Sequence, residues 1–225
     1  MNPMTALMYK KILTALEDCD FDDGFCDENF DCVIDFMDTE FFETEVNYGA
    51  TKLVLFPIEY PDIVVKIPFP GRWFWNDDEE LQLEDFCCAY DGEWGWDYCK
   101  AEALSFSKAL ERNLDFIFMR TTHIGNVHGH PIYIQPRITK TASQLSFSKK
   151  LTEEKIYSTK ATCYELDVDC FNTLWIHDFI ESYGLEFFRS FNDFLKDCNI
   201  NDLHGSNIGY FNDKPVIFDY SGYWD

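Results

Sequence analysis

The chain has 225 residues, of which 46% are hydrophobic and 18% aromatic, enough for one sizeable core or two small lobes and unlike a disordered composition. Its formal net charge of -23 repels nucleic-acid phosphates and anionic membranes, so it argues against direct nucleic-acid binding and suits basic partners or mimicry of nucleic-acid charge. The nine cysteines, odd in number and without a C-x-x-C pair, match neither a disulfide framework nor a zinc site, and reduced thiols in a cytoplasmic protein are expected.

In chain order, Leu7, Ile12, Leu13 and Leu16 recur at helical spacing and predict a helix over residues 4–17. Lys10-Lys11 interrupts this stretch, so it does not read as a secretory leader, and no apolar run in the chain has membrane-spanning length. An acidic segment without Lys or Arg runs from Glu17 to Glu45. A calcium loop starting at Asp18 fails its register, because Asp23 and Asn29 stand where Gly and Glu are required. Phe30, Val33, Ile34, Met37 and Phe41 predict a second amphipathic helix.

From Thr44 the pattern turns to strands. Residues 46–52 read as strand, turn, strand; Leu53 to Phe56 is a short apolar run; Ile63-Val64-Val65-Lys66-Ile67 is a β-branched strand with one charge. Residues 71–95 are an acidic, tryptophan-rich insertion, expected as a loop or short helix over an apolar patch. A helix is predicted over residues 97–112. The runs Leu114–Met119 and Pro131–Ile138 are expected to form a hairpin about a Gly125–Gly129 turn. Residues 139–164, rich in Ser, Thr and Lys, read as a linker. Phe171–Tyr183 and Leu185–Cys198 predict two helices broken at Gly184, and Ile208–Phe211 with Pro215–Phe218 a tight hairpin around Asn212-Asp213.

Chemistry concentrates near the end of the chain. Asp202-Leu203-His204 is followed by Asn207, and Asp219 follows the final hairpin in Asp219-Tyr220-Ser221-Gly222. Two carboxylates and an amide at this spacing suit the holding of a hydroxyl and a magnesium ion in phosphoryl transfer. Taken singly, Asp and Asn also serve as ordinary caps and turn formers. Upstream, Lys66 sits in Val64-Val65-Lys66-Ile67, either as a phosphate-binding lysine or as an outward charge on an edge strand. Glu102 shares a helical face with Tyr98, Phe106 and Ala109, whereas Glu111 shares its face with Lys108 and Ser107 and Glu93 precedes the helix.

Together these residues resemble the protein-kinase-like fold, closest to its aminoglycoside-phosphotransferase and small-molecule kinase branch, because Asp202-Leu203-His204 is similar to the D-L-H of those enzymes. The resemblance covers roughly residues 44–222. It implies an α+β, two-lobed architecture: an acidic helical extension over 1–43, an antiparallel-sheet N-lobe over 44–138 carrying the 71–95 insertion, and a reduced helical C-lobe over 139–225. It further implies ATP and Mg2+ as cofactors. Asp202 accepts or orients the acceptor proton; Lys66, paired with Glu102, touches the α- and β-phosphates; Asn207 and Asp219 hold metal. His204 either contacts phosphate or pins its loop. Gly49 and Lys52 stand in the phosphate loop, where one glycine replaces the three of protein kinases. Ile134 and Gln135, in Ile132–Pro136, are expected on a linker beside the adenine.

The chain stops three residues after Gly222, so no peptide-docking activation segment is expected and a small-molecule or unusual protein acceptor is. The alternative implied by the single-glycine loop and the charge is a pseudokinase that acts as an acidic protein-binding module, a nucleic-acid mimic or an inhibitor. A nucleotidyl transferase on the same fold would present similar ligands.

Overall fold

The computed structural model describes residues 3–19, 38, 40–44, 47–48, 51–69, 71–75, 81–85, 97–138, 140–141, 152–166, 173–200 and 203–220. The chain is α+β. It divides into two units, one of residues 1–103 with 121–137 and the other of residues 104–120 with 138–225. These differ from the expected boundaries. The N-terminal helix belongs to the first unit because its apolar face is buried there. Residues 104–120 belong to the second because their apolar side chains join its core.

The first unit is built on a five-stranded antiparallel sheet of spatial order β1-β2-β3-β7-β6. Its strands are β1 (Asn47–Tyr48), β2 (Lys52–Leu55), β3 (Ile63–Pro68), β6 (Thr122–Val127) and β7 (His130–Pro136). Side chains alternate between the faces of a sheet, and cross-strand partners share a face. The register sets Leu53 opposite Ile67 and Val65 opposite Ile134, which puts Leu53, Leu55, Val65, Ile67, Ile132 and Ile134 on one apolar face. Helix α1 (Pro3–Ala15) contributes Ile12 to the core formed on that face, and Leu16 follows from the turn beyond it. The opposite face carries Lys52, Val54, Lys66, Tyr133 and Gln135.

A second helix, α2 (Tyr98–Glu111), starts in this unit. Asp97 caps it, its Oδ1 accepting from the Lys100 N–H at 2.8 Å. Tyr98, Cys99, Glu102, Ser105 and Ala109 form its buried stripe, while Glu111 is exposed.

Two expectations need correction here. The 71–95 insertion contains a hairpin, β4 (Gly71–Trp75) paired with β5 (Leu81–Asp85), in place of a loop or short helix. The consecutive aromatics Trp73, Phe74 and Trp75 favour strand, a signal masked in the sequence by the acids that follow. The central hairpin also pairs differently. Its first strand is Thr122–Val127, and Leu114–Met119 is instead a 3-10 turn (Asp115–Ile117) with a single bridge at Phe118. The loop between β6 and β7 is His128-Gly129, both at positive φ, as the tight twisted turn of a hairpin demands.

The second unit has its own core. It is made by α3 (Glu153–Leu166), α4 (Thr173–Tyr183), α5 (Leu185–Asp197), the 3-10 turn, and a three-stranded sheet of order β10-β9-β8. Its strands are β8 (Lys140–Thr141), β9 (Ile208–Phe211) and β10 (Lys214–Ile217). The expected linker over 139–164 therefore holds a strand and most of a helix; Ser and Thr content outweighed the spacing of Thr159, Cys163 and Leu166. Phe118, Phe179, Phe188, Phe191, Phe194 and Tyr220 fill the core, with Phe179 stacked on Phe191 at 5.5 Å. The predicted helix over residues 30–41 lies outside the described residues except at its end.

Candidate functional site

The polar face of the first unit gathers the expected lysine and its carboxylate. Lys66 projects from β3, which lies between β2 and β7 and is no edge strand. Its Nζ donates to Glu102 Oε2 at 2.9 Å and Oε1 at 3.2 Å. Lys52, at the start of β2, donates to Glu102 Oε1 at 2.8 Å. All three are buried, Lys52 and Lys66 at 3% exposure and Glu102 at 0%. The convergence follows from register. Val54 lies opposite Lys66, so Lys52, two residues from Val54, shares its face.

Two further side chains join the cluster. Thr121 Oγ1 donates to Glu102 Oε2 at 2.6 Å, and Gln135 Nε2 donates to Thr121 Oγ1 at 3.0 Å. Cys99, one turn before Glu102 on α2, is fully buried, and that burial, reinforced by the Glu102 carboxylate, holds its thiol far toward the neutral form. Tyr133, opposite Lys66 in the register, donates its hydroxyl to Asp97 Oδ2. Burial raises the Asp97 carboxyl above its ordinary value, with the Tyr133 hydrogen bond opposing the shift. Burial, followed by the Asp97 charge, raises the Tyr133 phenol.

The two residues expected beside the adenine lie on β7. Ile134 is on the interior strand β7, opposite Val65 on one side and Thr122 on the other, with its side chain in the apolar core. Gln135 is on the same strand, 2% exposed, and its Nε2 donates to Thr121. Thr121 was not singled out from sequence. A threonine just ahead of a strand carries no signal, and only the β3–β7 register reveals that Gln135 lies on the lysine face.

In the second unit, α5 delivers the chain toward the Asn207 loop. The helix ends with Asn199 at φ 52, the Asn199 N–H on Lys196 O at 3.2 Å and the Ile200 N–H on Leu195 O at 2.9 Å. This left-handed cap turns the chain and buries Ile200. Beyond it, the Asn207 N–H donates to His204 O at 2.9 Å, and the Ser206 N–H donates to His204 Nδ1 at 3.2 Å. The exposed His204 ring thus braces its own loop. Asn207 is 8% exposed, and its carbonyl accepts from the N–H groups of Phe218 and Asp219 at 3.1 and 3.4 Å. The hairpin β9–β10 therefore returns Asp219 beside Asn207. The strand end is secured from the other side. The Met119 N–H donates to Ile217 O at 2.8 Å, and the Tyr220 hydroxyl donates to Met119 O at 2.9 Å.

An amide oxygen and a carboxylate are hard donors that fit magnesium. Among the described residues no group of three or more His, Cys, Asp or Glu gathers as a metal site. Asp202 and Gly49 lie outside the described residues. No described helix is long and apolar enough to cross a membrane. Neither protein-family models nor curated proteins give any match to this chain.

Proposed function

We propose that the chain is an ATP- and magnesium-dependent phosphotransferase of the two-lobed protein-kinase-like fold, acting on a small or atypical acceptor. The observation that carries this reading is the buried Lys66–Glu102 ion pair, a lysine on the third strand of an antiparallel sheet and a glutamate on the helix that precedes the fourth and fifth strands of that sheet. The desolvation of two charges is costly, and a hydrophobic pair would fill the same volume without it. A site for a polyanion gives that cost a purpose.

In this reading Lys66 and Lys52 bind the nucleotide phosphates and Glu102 orients both ammonium groups. Asn207 and Asp219 would hold magnesium, which would supply neutralisation of the nucleotide's negative charge. Asp202 takes the proton of the acceptor hydroxyl as that oxygen bonds to the γ-phosphorus, and ADP leaves. His204, through its bond to Ser206, sets the shape of the loop carrying Asn207.

Thermal unfolding with ATP tests the reading. Millimolar ATP should raise the midpoint only when magnesium is present, and Asp219→Ala should abolish the rise. Absence of any shift in the unaltered chain would overturn it.

A second reading, an acidic module that binds a basic protein surface, is favoured by the placement of charge. The first unit holds 25 of the 41 acidic residues but seven of the 18 basic ones. Capture of a basic partner that is lost as salt rises, in a chain that ignores ATP, would establish it.

A further inference from the structure

We propose that Thr121 and Gln135 are positioning residues, holding the Glu102 carboxylate in the orientation that presents Lys66 to a polyphosphate. The proposal rests on the phosphotransferase reading of Lys66. Its observation is the hydrogen-bond chain Gln135 Nε2 to Thr121 Oγ1 to Glu102 Oε2, at 3.0 and 2.6 Å, between side chains that are all at most 3% exposed.

A hydroxyl has one hydrogen and can accept as well as donate. The Gln135 amide donates to Thr121 Oγ1, so the oxygen's hydrogen is directed to Glu102 rather than free to rotate. A hydroxyl–carboxylate bond of this kind is charge-assisted and stronger than a neutral one. It also has a distinct role from the lysine contacts. Glu102 Oε2 is shared by Lys66 and Thr121, whereas Oε1 is shared by Lys66 and Lys52. When the Lys66 ammonium turns toward phosphate, the fully buried Oε2 keeps the Thr121 donor. Removing that donor would let Lys66 stay on the carboxylate as its compensating partner, at the expense of the ligand. The same geometry reassigns Gln135 from nucleobase recognition to support of the lysine.

The test compares Kd for ATP with magnesium and Kd for adenosine, in the full chain and in Thr121→Val, Thr121→Ser and Gln135→Leu. Valine keeps the shape of threonine and removes the hydroxyl. Loss of one charge-assisted bond predicts ATP binding about tenfold weaker in Thr121→Val, with adenosine binding unchanged. Thr121→Ser should return ATP affinity to within about twofold of the parent, and Gln135→Leu should weaken it roughly threefold. A merely structural role would weaken both ligands together, and that result overturns the proposal, as does parental ATP affinity in Thr121→Val. Should Thr121→Val not fold, the ratio of the two Kd values in Gln135→Leu decides the matter by the same criterion. A parent chain that binds no ATP removes the phosphotransferase reading and this proposal together, whereas ATP binding indifferent to Thr121 and Gln135 removes the proposal alone.

Discussion

Lys52 Nζ and Lys66 Nζ converge on one carboxylate oxygen, Glu102 Oε1, at 2.8 and 3.2 Å. A single buried acid thus serves two buried cations, which makes the three positions unequal. Glu102→Ala removes the shared acceptor and should cost about 3–5 kcal/mol of stability. Lys66→Met removes one cation while Lys52 and Thr121 still donate to Glu102, so its cost should be smaller, about 1–2 kcal/mol. Urea denaturation of both variants measures the difference. Equal losses would show that the carboxylate does not organise the cluster.

The seat of α1 on the sheet can be probed at Gly125. A Cβ built there lies 2.8 Å from Leu13 Cδ1, and its φ of +152 is one that L side chains rarely adopt. Gly125→Ala should destabilise by roughly 1–3 kcal/mol through overpacking and backbone strain. Adding Leu13→Ala should recover part of that loss, because it relieves the clash and leaves the strain. A double-mutant cycle reads this directly as coupling between the two sites.

Two helices end in the same way. Asn113 at φ 57 and Asn199 at φ 52 each occupy a left-handed cap, followed by buried Leu114 and Ile200. Asn199→Ala should cost about 1 kcal/mol, since alanine pays the steric penalty of that region, whereas Asn199→Gly should be nearly neutral. Chemical denaturation of the pair gives the test. The alanine variant should also lower ATP-induced stabilisation, because the cap sets the start of the loop that leads to Asn207.

Asp97 predicts a pH dependence whose sign runs opposite to that of a salt-bridged acid. Its carboxyl is raised above 3.8, chiefly by burial, so the folded chain holds the proton more tightly than the unfolded one. The stability from this group is full below pH 3.8 and is lost as pH rises through the folded value. Asp97→Asn keeps an oxygen for the Lys100 cap, turns an amide N–H toward the Tyr133 oxygen, which can accept it, and carries no charge. Relative to the parent, it should gain stability as pH rises from 4 to 7. A difference that stays flat with pH would contradict the assignment.

Much of the first unit was legible because its residues obey simple periods. The β-branched run around Lys66 is strand β3, and the stripe Tyr98, Glu102, Phe106, Ala109 is a face of α2. Glu102 stood out because an acid on an apolar stripe must have a buried partner. Lys66 was the visible partner, and Lys52 was legible as charge near the phosphate loop but not as a second claimant on the same oxygen. That convergence depends on register between β2 and β3, which pairs residues through hydrogen bonds that no local pattern encodes. The Phe211–Lys214 turn was readable from Asn212-Asp213, both of which adopt positive φ. The errors share a cause. At 71–95 and 139–164 the composition is acidic or rich in hydroxyls, which says little about backbone state. At Asn113 and Asn199 the left-handed caps carry asparagine where glycine is the usual signal.

The bridge between Phe118 and Ile217 sets a timetable for synthesis. The first unit closes once residue 137 is made, but residues 104–120 belong to a unit completed only near residue 220. At about 5–20 residues per second, the 101 residues separating Met119 from its partner Tyr220 take roughly 5–20 s to emerge. Through that interval Leu114, Ile117 and Phe118, all destined for burial, wait without the strand that covers them. A nascent chain halted near residue 200 should therefore hold a finished sheet beside an apolar hook, and that hook is where a ribosome-associated chaperone would take hold.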